Sequence, residues 1–259
     1  FPSKAHDFIC TSTAFYKDEL FNLYTADSIA KNSKYIIIQH GGGYGFSEFN
    51  DEEEYQLSVA DMFLSWGWKQ SKVTLPEIYP KAVIEKFGAS LLPKESAKRS
   101  SDLPVDTSAK NTIYVAMAEW TFCDFRLYSY PTSHGQKSKQ KYLIKMINLL
   151  SNEYRKKVSI RLHLNGRYNL LSKLRQDIPF FKFRDRTKSL LSDDILLDTR
   201  IFVSDSNSTA LLELLSMNIP TIILLGKELE DHAHAYLPLM NRLEKARILF
   251  NSPSEMAYW

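Results

Sequence analysis

Short apolar runs and longer amphipathic stretches alternate along this chain in two separate series. DFICTS (7–12) and Tyr35 to Gln39 have the β-branched, hydrophobic make-up of strands. Between them, Phe15 to Lys31 carries apolar residues at 20, 21, 23, 24, 26, 29 and 30, with acids early and lysine late. That pattern predicts a helix of roughly four turns. Residues 52–62 predict a short helix, and MFLSWGW (62–68) a buried strand or turn. Strand, helix, strand, loop, helix, strand is the order of a parallel sheet.

Residues 88–111 are rich in Ser, Lys, Pro and Asp and have little periodicity, so they read as a connection. The alternation then resumes. IYVAMA (113–118) is a strand, Gln140 to Tyr154 an amphipathic helix, VSIRLHL (158–164) a strand and 169–176 a short helix. RIFVSD (200–205) is a strand, TALLELLSM (209–217) a helix, TIILL (221–225) a strand, Pro238 to Glu244 a helix and RILF (247–250) a closing strand. The fold class expected is α/β, with two Rossmann-like parallel-sheet units facing a cleft. The first would span 1–90 and the second 112–250, with a linker at 91–111 and a tail at 251–259 returning toward the first.

Charge and cysteine content narrow the field. A net charge of +3 gives no nucleic-acid footprint, and the local basic runs, such as Arg155 to Lys157, read as solvated surface. Two cysteines make no disulfide framework and fit a reducing, cytoplasmic compartment. No apolar run is long enough to span a bilayer. The start, Phe-Pro-Ser-Lys, has neither an initiator Met nor a signal pattern, so the chain is read as a piece of something longer.

Chemistry concentrates in four places. Of nine glycines, four lie between Gly41 and Gly45, directly behind a strand end and His40. Ligands of parallel sheets bind beyond the carboxyl ends of strands, and bare backbone lets N–H groups approach them. Gly41, Gly42, Gly43 and Tyr44 are therefore expected to face a ligand, although a tight turn would also use a glycine or two. The spacing matches neither a Walker A loop nor GxGxxG. Glu48 and Asp51 to Glu54 follow. They read either as an acidic helix start favoured by the macrodipole or as the source of a general base for a hydroxyl. No D-x-D occurs at which a divalent metal would bridge a nucleotide sugar.

In the second series, Ser206, Asn207, Ser208 and Thr209 sit between a strand end and a helix that carries Glu213 in its second turn. Such a start is either an ordinary cap or a phosphate site. Arg161 and His163, two apart on one strand face, could supply positive charge to a phosphate, with Arg167 nearby. They also fit a half-exposed strand. Asp124 stands among aromatics in EWTFCDFRLYSYP (119–131), close to Arg126, and fits a nucleophile or a structural ion pair equally.

Assembled, IQHGGGYG (38–45), EEYQLSVADMFLSWGW (53–68), SNSTALLELLSMNIPTII (206–223) and ARILFNSPSEMA (246–257) resemble the LIC12162-type family of bacterial surface-polysaccharide transferases. The family is similar to retaining β-Kdo transferases that use CMP-activated Kdo. The resemblance implies a GT-B fold and transfer of an acidic sugar from a CMP-linked donor to a saccharide hydroxyl, without metal or other cofactor. It implies Asp124 as nucleophile, Glu53 or Glu54 as base with His40 beside them, and a lipid-linked acceptor at the inner face of the membrane. The family often has a second Glu three residues after the first, where this chain has Gln56. Two rivals share the pattern: a sugar-nucleotide epimerase of the same fold, and a degenerate saccharide-binding module.

Overall fold

The computed structural model describes residues 6–16, 18–46, 50–69, 82–89, 110–117, 133–162, 170–183, 198–226 and 236–259. The chain divides into two compact units, Phe1–Leu92 and Pro93–Trp259.

In the first unit, β1 (Phe8–Thr11), α1 (Glu19–Ala30), β2 (Lys34–Ile38), α2 (Asp51–Val59), β3 (Met62–Ser65) and β4 (Val83–Lys86) build a sheet in the order β1-β2-β3-β4. All of its pairings are parallel. The expected helix from Phe15 is in fact two elements. A 3-10 turn covers Ala14–Tyr16, and α1 starts only after Asp18, whose carboxylate accepts the Phe21 N–H at 3.0 Å. A capping side chain of this kind sets the first helical residue, whatever the apolar spacing upstream. The face of α1 that is buried is also not the aliphatic one. Thr25 and Ser28 are buried, whereas Leu20 and Leu23 are mostly exposed. The core gathers around Tyr35 and Ile37 of β2 with Ile9, Phe15, Leu57 and Phe63. The helix α2 opens on Asn50, whose Oδ1 accepts the Glu53 N–H at 3.2 Å. Asn50→Ala is expected to cost about 1 kcal/mol of stability in urea unfolding.

The second unit contains β5 (Thr112–Met117), α3 (Ser133–Leu149), α4 (Asn152–Arg155), β6 (Val158–Leu162), α5 (Leu170–Asp177) and β7 (Lys182–Phe183). It continues with β8 (Thr199–Ser204), α6 (Thr209–Ser216), β9 (Thr221–Leu224), α7 (Leu237–Lys245), β10 (Leu249–Phe250) and α8 (Pro253–Tyr258). Its six strands run in the order β10-β9-β8-β5-β6-β7, again all parallel. The helix expected to reach Tyr154 stops at Leu149. Ser151 caps a new turn, and Arg155 Nε donates to the Leu150 carbonyl at 2.7 Å, taking up an acceptor that the broken helix leaves open. One face of the sheet buries Val115, Met117, Ile160 and Val203 against Leu143 and Ile147 of α3. The other buries Tyr114 and Phe202, with ring centroids 5.3 Å apart, against Leu214 of α6. The α/β class with two parallel sheets, expected from the alternation, is the observed architecture. Three elements carry too little period to be read in advance: β4, β7 and the closing helix α8, which packs Met256 into the core beside α3.

Candidate functional site

The loop after β2 is built from the strand outward. Tyr35, Ile37 and Gln39 form the inward row of β2, so Gln39 is carried into the interior, where it is only 4% exposed. A buried amide must find partners, and this one finds them on both sides of the bend. Gln39 Nε2 donates to the Gly41 carbonyl at 2.7 Å, and its Oε1 accepts the Trp66 N–H at 2.8 Å and the Trp68 Nε1–H at 2.9 Å. One side chain thus ties the glycine loop to the WGW segment. Gly43 (φ 95°) and Gly45 (φ 69°) occupy the left-handed region that favours glycine. Gly41 and Gly42 are not among the positive-φ glycines, so turn geometry does not account for them.

The acidic cluster divides by direction. Glu53 has no exposed surface, and its Oε2 accepts the Gly45 N–H at 2.6 Å, which holds the far end of the loop. Glu54, one position on, is partly exposed. Tyr44 is buried, with its hydroxyl 2.8 Å from His40 Nδ1 and 2.8 Å from Gln56 Nε2; the same amide nitrogen lies 3.1 Å from the Tyr16 hydroxyl. The His40 ring stands edge-on between the rings of Tyr16 and Tyr44. Burial lowers the His40 pKa against the opposing pull of Glu52, and burial pushes both phenols well above their ordinary range. At neutral pH this cluster is an uncharged imidazole between two intact phenols.

The second unit concentrates polar groups at the carboxyl edge of its sheet. Strand order reverses between β5 and β8, and such a switch point is where open α/β sheets take ligands. Ala116 of β5 is in register with Arg161 on one side and Ser204 on the other, so all three lie in one row on one face. Ser204 Oγ donates to the Ser206 carbonyl at 2.8 Å and shapes the bend that leads through Asn207 and Ser208 to Thr209, the first residue of α6. Ser208 is the N-cap, yet its side chain makes no capping hydrogen bond. Glu213 is half-buried, and desolvation raises its carboxyl pKa. Asp205 points to the opposite face, toward α3, and has no exposed surface. There it meets the field of Lys139, which is 4% exposed and whose pKa burial lowers to about 8.

The structure therefore gathers His40, Gly41, Gly42, Gly43, Tyr44, Glu53 and Glu54 at one edge of the first unit. It gathers Arg161, Ser206, Asn207, Ser208, Thr209 and Glu213 at one edge of the second. Asp124 and His163, with Glu48 and Arg167, lie outside the described residues. Sequence reasoning missed Tyr16, Gln39, Lys139 and Asp205 as members of these clusters. Only Gln39 left a signal, since a polar residue continues the inward row of a strand there. Among the described residues no group of three His, Cys, Asp or Glu is placed to hold a metal ion. No helix among them is long and apolar enough to cross a membrane.

Parallel α/β units with polar loops at their carboxyl edges define a broad class of ligand-binding proteins. Within it the motifs decide: the model of the LIC12162 family transferases matches residues 2–258, and the chain belongs to that family, as its glycine loop and Asn-Ser-Thr helix start implied. No curated relative matches the chain. Among solved structures it is similar to the trehalose-6-phosphate synthase OtsA, at 11% identity and a TM-score of 0.43, over 91% of this chain and 60% of that one. It is also similar to the wall teichoic acid polymerase TagF, at 13% identity and a TM-score of 0.39, over 88% of this chain and 57% of that one. The chain thus spans less than two thirds of the length of either.

Proposed function

We propose that this transferase is a glycosyltransferase of the GT-B type, which moves Kdo or a related acidic sugar from a CMP-linked donor to a saccharide acceptor in cell-surface polysaccharide synthesis. The observation that carries the reading is the placement of both polar loops at carboxyl edges of parallel sheets, within a chain of this family. The first-unit edge would meet the acceptor. Its bare Gly41 and Gly42 allow close approach, and Glu54 is the carboxylate of the Glu53–Glu54 pair with access to solvent. The second-unit edge would hold the donor phosphate at Ser206–Thr209, with Arg161 beside it as a permanent cation. His163 would add to it, and Asp124 would serve as nucleophile in a retaining double displacement. We further infer that no metal takes part, and that the protein works in the cytoplasm, at the membrane face that presents a lipid-linked acceptor.

Product formation from CMP-, UDP- and GDP-sugars with a mixed saccharide pool tests this, beside titration calorimetry with CMP and UDP. Transfer from the CMP-sugar and preferential CMP binding are expected. Asp124→Asn and Glu54→Gln should each lower turnover by roughly 100-fold or more while leaving CMP affinity within about twofold. UDP preference without transfer would replace the proposal with the epimerase reading. One observation favours a second reading, that of a saccharide-binding module. Gln56, which cannot ionise, is fully buried between two hydroxyls beside the loop. Saccharide binding with no turnover from any donor would select it.

A further inference from the structure

The Tyr16–Gln56–Tyr44–His40 chain has a direction, and the direction can be worked out. Gln56 Nε2 lies 3.1 Å from the Tyr16 hydroxyl and 2.8 Å from the Tyr44 hydroxyl. An amide nitrogen only donates, and its NH₂ has two protons, one for each phenol oxygen. Both phenol oxygens therefore accept from Gln56, and each phenol keeps a single proton of its own to give elsewhere. The alternative contact, Tyr44 to Gln56 Oε1, is longer at 3.1 Å. With its oxygen accepting from the amide, Tyr44 has its own proton free for His40 Nδ1, 2.8 Å away. A neutral imidazole carries one N–H; when Nδ1 accepts, the proton sits on Nε2.

We propose that Gln56 is a positioning residue that fixes His40 as an Nε2–H donor, so that the ring offers a proton to a ligand oxygen instead of a lone pair to a ligand hydroxyl. The ligand group this suits is a carboxylate, phosphoryl or carbonyl oxygen. The polarity follows from the hydrogen bonds alone; only its use on a saccharide rests on the functional reading above. Among the described residues, the charged and titratable groups acting on His40 are Glu52 and the hydroxyls of Tyr16 and Tyr44, and burial outweighs the acid in keeping the ring neutral. A carboxylate at position 56 would reverse the chain. It could only accept, would draw the Tyr44 proton to itself, and would leave the Tyr44 oxygen to accept Nδ1–H, exposing a basic lone pair on Nε2.

Long-range proton–nitrogen correlation spectra of the full, nitrogen-labelled chain test this, with the His40 signal assigned by its loss in His40→Gln. The wild type is expected to show the Nε2–H tautomer. Gln56→Glu is expected to show Nδ1–H and a His40 pKa raised by about one unit or more, tenfold in proton affinity. Tyr44→Phe should release the ring to a mixture of tautomers. An Nδ1–H ring in the wild type, or a folded Gln56→Glu protein with the wild-type tautomer, overturns the proposal. If Gln56→Glu does not fold, the wild-type and Tyr44→Phe spectra decide. An Nε2–H wild type that transfers no sugar would defeat the functional reading and leave this one standing.

Discussion

Gln39→Leu is expected to destabilise the first unit by about 3–5 kcal/mol, because it orphans three buried or half-buried groups at once. Leucine has nearly the volume of glutamine and fits the inward row of β2, so packing is largely kept. What is lost is the acceptor for Trp66 N–H and Trp68 Nε1–H and the donor to the Gly41 carbonyl. Urea unfolding followed by tryptophan fluorescence reads the effect, since both indoles report on this unit. A loss below about 1 kcal/mol would mean that other contacts hold the loop. The same substitution is expected to loosen the glycine loop, seen as faster amide exchange at Gly41 to Gly45, while the second unit is unaffected.

In the second unit, Asp205→Ala is expected to cost about 3–5 kcal/mol, since it removes a buried opposite charge that acts on the buried Lys139. The burial of Lys139 also gives stability a pH dependence of definite sign. Burial lowers the folded-state pKa of Lys139 from 10.5 to about 8, with Asp205 opposing the shift. Between those two values the unfolded chain still holds a proton that the folded chain has released. The unfolded state therefore binds more protons, and stability rises with pH across that window. The wild type minus Lys139→Met difference isolates this slope from the tyrosines, whose raised pKa values act in the opposite sense at higher pH. Unfolding followed by circular dichroism should give a difference that grows from pH 8 upward. A flat difference would show that Lys139 keeps its proton in the folded state.

Both side chains illustrate what the sequence could and could not reveal. Lys139 stands in KSKQK, where nothing separates it from the lysines around it. Its burial depends on α3 packing over the sheet edge, and the opposite charge of Asp205 that acts on it comes from the end of β8. Asp205 was legible as a strand end and no more. The glycine loop was legible because its chemistry is local: a strand, a histidine and four glycines within ten residues. The acidic run after it was legible as a helix start. That Glu53 turns inward to the Gly45 N–H while Glu54 remains partly exposed was not, because neighbouring helical residues differ in facing by the helical turn alone.

The sequence alone determined the α/β alternation, the division into two series, the two polar loops and the family, because each of these is written in residue periodicity or in contiguous motifs. Tertiary structure decided which face of α1 is buried, where β4 and α8 add to their units, and which polar groups are partners. Gln39 reaches Trp68 across 29 positions and Tyr16 reaches Gln56 across 40. Contacts at that separation exist only after the sheet has closed, when burial forces each amide and hydroxyl to find a partner or remain unsatisfied.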